Sequence, residues 1–161
     1  MLKAKLTDQR GQSLIELALM APFLLIALYI PVDFGVAMFK AHMAQNAARE
    51  ATRLAVSTKD PFNSTAATST ATDALIRLPG GLTAKSATAT FYGTGVTGCM
   101  QVIEVSVQGT YHFFLYQLMN LFGGTTPDVL TITRKSRMRY EFQPAANVTP
   151  ACDFTLSGTV P

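Results

Sequence analysis

From Leu14 to Phe39 the chain is almost continuously apolar, and charge enters only at Glu16 and Asp33. Leu17 to Val32 holds no charged residue at all. A helix needs about 20 mostly apolar residues to cross a bilayer, so this run predicts a membrane-spanning helix. Pro22 and Pro31 fall inside it. Each removes a backbone donor, which membrane helices tolerate because neighbours satisfy the freed carbonyls, and each marks a place where the helix can bend. After Phe39 the pattern changes from continuous to periodic. Met43, Ala47, Ala51, Leu54 and Ala55 recur at helical spacing, alanine dominates, and no glycine or proline interrupts. The helix is therefore expected to run from Ser13 to about Ser57, roughly 65 Å at about 1.5 Å per residue, with a small-residue stripe for packing on the part that leaves the membrane.

Downstream the periods are shorter. Residues 57 to 73 are rich in Ser, Thr and Ala, with Asp60-Pro61 as a breaker. Ala66 to Leu78 is the better helical segment there, stopped by Pro79-Gly80-Gly81. Thr83 to Tyr92 reads as a strand, and Gly93, Gly95 and Gly98 read as a turn. Met100 to Gln108 alternates, with Ile103, Val105 and Val107 on one face and Glu104, Ser106 and Gln108 on the other. The apolar stretch Tyr111 to Phe122 is grouped with the strands, and Val129 to Phe142 alternates again. The tail from Gln143 onward, with three prolines, is expected to be irregular. The fold class that follows is α+β: a long N-terminal transmembrane helix, then a small domain with an antiparallel sheet of about three to four strands.

Composition supports placing part of the chain in lipid. Of its 161 residues 48% are hydrophobic and only 14% charged, at a net charge of +3. The basic residues are split among the leader, the end of the first helix and the segment Arg134 to Arg139, so no continuous basic face points to nucleic acid. Lys3, Lys5 and Arg10 precede the apolar run, and the positive-inside rule keeps that end cytoplasmic and sends the remainder outward. Lys40, Arg49 and Arg53, beyond the run, weigh against that orientation. Cys99 and Cys152 both lie far downstream. Outside the cytoplasm they are expected to form a disulfide, with two unpaired thiols as the alternative.

Enzymatic motifs are missing from the pattern. The cysteines lack zinc spacing, no glycine loop is followed by Lys-Ser or Lys-Thr, and no nucleophile has an evident base partner. His42 and His112 read as structural histidines. No cofactor and no metal is expected.

Three pieces then line up. The first is Gly11-Gln12-Ser13-Leu14-Ile15-Glu16-Leu17-Ala18 with Pro22 soon after; the second is Asp33-Phe34-Gly35 followed by Asn46-Ala47-Ala48-Arg49-Glu50-Ala51-Thr52-Arg53; the third is the strand end Arg137-Met138-Arg139-Tyr140-Glu141. Together they resemble the TadE-like family, pseudopilins of the Flp or Tad (tight adherence) pilus system. Thr52 departs from the glycine common there.

The resemblance implies a minor pseudopilin in the bacterial cytoplasmic membrane. Its leader, residues 1–11, would be removed by a prepilin peptidase between Gly11 and Gln12. A transmembrane and assembly helix, 12–57, and an extracytoplasmic α+β domain, 58–161, would remain. Glu16, one turn into the mature helix, would pair with an N-terminal amine during assembly, which offsets the cost of a carboxylate in lipid. Asp33 would either pair with a basic residue of a neighbouring subunit or stand as an interfacial carboxylate. The implied partners are other pilins or pseudopilins, the prepilin peptidase, the inner-membrane assembly platform and membrane lipid. Two other readings remain open. Gly35-Val36-Ala37 could be a signal peptidase site that releases a secreted binding domain starting at Met38. The chain could also be a pseudopilin of a type II secretion system.

Overall fold

The computed structural model describes residues 9–58, 63–94, 100–121, 123–125, 127–141 and 154–161. Alanine-rich sequence with no helix breaker apart from the two prolines gives one continuous helix, α1 (Gln9–Ser57). A second helix, α2 (Ser64–Ile76), begins where the Asn63 side chain accepts a hydrogen bond from the Ala66 amide at 2.7 Å. It ends at Arg77, and Gly81, with φ of 72°, turns the chain into the sheet.

The sheet is antiparallel and four-stranded, in the order β3-β2-β1-β4. The strands are β1 (Thr83–Thr94), β2 (Met100–His112), β3 (Val129–Arg139) and β4 (Thr155–Val160). The alternation read along β2 is the burial pattern: Ile103, Val105 and Val107 are buried, and Glu104, Ser106 and Gln108 face away. The outward face is polar, with Lys135 on β3 lying 3.4 Å from Glu104 on β2. Both long helices cover the opposite face, α1 over β2 and β3, and α2 over β1 and β4.

Two expectations are corrected. The stretch Tyr111 to Phe122 is not one strand: Tyr111 and His112 end β2, and Phe122 lies outside the described residues. After β2 ends at His112, Phe114–Leu121 forms a short helix, α3. The stretch is apolar and aromatic, which suits either a buried strand or a buried helix turn. The choice is made by tertiary capping, described below. The C-terminal tail is also not wholly irregular. Leu156, Gly158 and Val160 face the core while Thr155, Ser157 and Thr159 are exposed, and this segment pairs with β1 from Tyr92–Thr155 to Ala87–Val160.

The core explains the alanines. Ala37, Ala41, Ala44, Ala48, Ala51 and Ala55 form a buried stripe on α1. With no side chain beyond Cβ, they let the α1 backbone lie close over Ile103, Val105 and Val107 of β2, which with Phe91 of β1 are the four largest fully buried side chains among the described residues. Burying each of those four contributes about 1.5–3 kcal/mol. Thr52 joins the stripe because its hydroxyl donates back to the Ala48 carbonyl at 2.6 Å, leaving no unsatisfied polar group. Gly158 does the same for α2: a Cβ there would lie 2.3 Å from the Thr68 amide nitrogen.

Candidate assembly helix and its junction with the domain

Burial divides α1 in two. From Gly11 to Val32 every residue is exposed except Ala21, which is half-buried, and the first buried position is Asp33. The free part carries Leu14, Ile15, Leu17, Leu19, Phe23 and Leu24, all large and exposed. Leu14 to Val32 is 19 residues, about 29 Å of helix, which matches a hydrocarbon core of about 30 Å. The helix is thus long and apolar enough to cross a membrane, and its unpacked part stops at Asp33, where burial against the rest of the chain begins.

At the N-terminal end, Gly11 is exposed, with nothing within 4 Å of where a Cβ would stand. The Gln12 side-chain amide donates to Glu16 Oε1 at 3.4 Å, since residues four apart share a helix face. Glu16 is otherwise exposed along the free segment.

Asp33 sits at the junction and is 6% exposed. Its Oδ1 accepts from the Tyr111 hydroxyl at 2.7 Å, and its Oδ2 accepts from the Leu115 amide at 3.2 Å. Leu115 is in the first turn of α3, a helix with no acidic residue of its own there. An α1 carboxylate therefore caps the N-terminus of α3, where an anion also meets the favourable end of the helix dipole. Both oxygens of the carboxylate accept a hydrogen bond within the chain. Burial, followed by the bond to Asp33, pushes the Tyr111 hydroxyl up to about 12. Lys40 lies over the same ring, 5.9 Å from its centroid, and donates to the Gly80 carbonyl. Aromatic contacts complete the junction: Phe34 with Phe113 at 5.2 Å and Tyr29 stacked on Phe114 at 5.5 Å.

Other sequence-marked residues are dispersed. His42 is exposed on α1. His112 Nε2 is 3.0 Å from Thr83 Oγ1, and its Nδ1 is 3.6 Å from Asp128. Cys99 and Cys152 lie outside the described residues. Among the described residues no group of three His, Cys, Asp or Glu could hold a metal ion.

Residues 11–53 match the family model described as TadE-like protein. The N-terminal segment is TadE-like. The match covers the Gly11 junction, the free apolar part and most of the alanine stripe, so the TadE-like segment contains both Glu16 and Asp33. Its limit at residue 53 leaves α2, the sheet and α3 outside. Neither a curated protein nor a solved structure shows significant similarity to the chain. Sequence reasoning marked Asp33 but not its partners, because Tyr111 is 78 residues away and nothing local announces the bond.

Proposed function

We propose that this protein is a minor pseudopilin that takes part in assembling a Tad/Flp-type pilus. The observation that carries the reading is the TadE-like match over 11–53 on a helix whose free apolar segment ends at the domain. The chain crosses the bacterial cytoplasmic membrane once. Residues 1–11 are the cytoplasmic leader, 12–57 the spanning and assembly helix, and 58–161 the extracytoplasmic part. The role is structural: α1 packs against helices of other pilins and against the membrane-embedded assembly platform.

Prepilin peptidase cuts Gly11–Gln12. Glycine supports this assignment because it weakens the helix by about 1 kcal/mol relative to alanine, so the first turn opens for a protease at little cost. After the cut, Glu16 lies one turn from the new amine of Gln12 and pairs with such an amine in the assembled fibre. The competing cleavage after Ala37 is disfavoured by its environment. Ala37 is 2% exposed within the core, and a cut there would also remove Asp33, which caps α3.

A Cys99–Cys152 disulfide belongs to the same reading. Met100, next to Cys99, pairs with Thr94, and the Gly93 amide donates to the carbonyl of Phe154, two residues from Cys152. These described neighbours gather at one end of the sheet.

The experiment is co-expression with a prepilin peptidase, followed by N-terminal sequencing of the membrane fraction. A mature chain starting at Gln12 supports the proposal. A soluble exported chain starting at Met38 overturns it.

A further inference from the structure

Three large apolar side chains outside α1 are exposed at one end of the domain. Phe114 opens α3, and Val129 and Leu130 begin β3. They are neighbours by register, since Val129 pairs with His112 and Leu130 with Tyr111, just before α3. This is the end that faces the free segment of α1. Here Phe114, 53% exposed, stacks on Tyr29.

Tyr29 fixes the depth. It precedes Asp33 by four residues, about 6 Å along the helix, and so lies inside the 19-residue segment that matches the hydrocarbon thickness. A ring stacked on Tyr29 is therefore carried to the same depth. The α3 sequence, Phe-Leu-Tyr-Gln-Leu-Met-Asn-Leu, contains no charged residue to resist this. One of its first-turn amides, that of Leu115, is satisfied by Asp33, which lowers the cost of moving the helix start out of water.

We propose that α3 lies in the outer interface of the bilayer, with Phe114 in the hydrocarbon and Val129 and Leu130 at the lipid surface. This rests on the membrane-anchored reading of α1. The partner is lipid itself, because Phe114 is joined to the span through Tyr29 and held at its depth, with Val129 and Leu130 exposed at the same end of the sheet. A helix lying in the interface buries its apolar face about 5–10 Å into the headgroup and acyl boundary, and tyrosines such as Tyr29 and Tyr116 suit that boundary. The domain is then fixed to the membrane at two points, the span and α3, which sets its tilt before assembly.

The chain has no tryptophan, so a single substitution supplies a lone fluorophore. Full-length Phe114→Trp, Leu25→Trp and Leu54→Trp are reconstituted at high lipid-to-protein ratio in phosphatidylcholine vesicles brominated near the headgroup end of the acyl chains. All three positions are exposed, so the fold accepts the change. Leu25 reports the span, and Leu54 reports the far end of α1. The expected result is blue-shifted, quenched emission for both Phe114→Trp and Leu25→Trp, with Leu54→Trp unquenched. If Leu25→Trp is quenched but Phe114→Trp behaves like Leu54→Trp, the interfacial placement is wrong and the anchor stands. Blue-shifted but unquenched Phe114→Trp means that protein covers the patch, which also overturns the proposal. An unquenched Leu25→Trp overturns the anchor and the proposal together.

Discussion

Asp33 and Tyr111, 78 residues apart, are joined by a 2.7 Å hydrogen bond where the free segment of α1 meets the sheet. Replacing Asp33 with alanine leaves a buried hydroxyl and the Leu115 amide without their acceptor. An unsatisfied buried group costs about 1–3 kcal/mol. Asp33→Ala is expected to lower the domain's stability by at least that amount, while membrane insertion persists. Limited proteolysis of detergent-solubilised protein should find the earliest new cuts around α3.

Tyr111 gives this junction a defined pH response. Its pKa is raised from 10.0 to about 12, so the folded state prefers the neutral phenol. The raised value contributes stability in full below pH 10, and that contribution is lost as pH rises through about 12. Asp33 and Lys40 are the charged groups facing the hydroxyl and ring. Thermal unfolding of wild type and Tyr111→Phe should show their stability difference shrinking over that alkaline range. A constant difference would sink the assignment.

Two glycines should behave oppositely. A Cβ at Gly158 would meet Thr68 nitrogen at 2.3 Å and Ala67 carbon at 2.6 Å, both backbone atoms. Gly158→Ala must therefore push α2 off β4, with an expected loss of about 1–3 kcal/mol in denaturant unfolding. Gly11→Ala meets nothing within 4 Å. It should leave the fold intact and slow processing, read as accumulation of the uncleaved chain by intact mass.

The alanine stripe should be intolerant of size. Ala48, on the sheet-facing side of α1, is fully buried. Ala48→Leu adds methylenes where two backbones approach closely, and overpacking of this kind costs about 1–3 kcal/mol. A shift in the chemical denaturation midpoint measures it; an unchanged midpoint would mean that α1 can lift without loss.

The Cys99–Cys152 bridge has a direct readout. Thiol titration of the unfolded, unreduced protein should find no free thiol. Cys152→Ser should cost up to about 4 kcal/mol for a closed loop of this length in the chain-entropy model. Two reactive thiols would refute the bridge.

The long helix was readable because its two halves carry different patterns, continuous apolar residues and then a small-residue period, and each is a local property. The same holds for the alternation in β2 and for the end of α2 before Pro79-Gly80-Gly81. The strand expected over Tyr111 to Phe122 failed for a nonlocal reason. A short apolar run has no period long enough to decide, and the cap that makes it helical comes from Asp33 on another element. β4 has a legible period of two in Leu156, Gly158 and Val160. It is short, however, and the prolines before it dominate the tail. Gly11, Gln12 and Glu16 were legible as a motif, whereas the end of the domain proposed to meet lipid emerged only once α3 was brought beside Tyr29.

Because the stripe from Ala37 to Ala55 packs the C-terminal half of α1 against the sheet, the azimuth of the exposed apolar segment is carried along one continuous helix into the domain. Each residue of a helix advances the azimuth by about 100°. Whichever side of the span meets its neighbours thus dictates the compass direction in which the domain points. In a membrane bundle of the kind proposed, the packing of the exposed segments would set the bearing of every domain, as the foot of a mast sets the bearing of its flag.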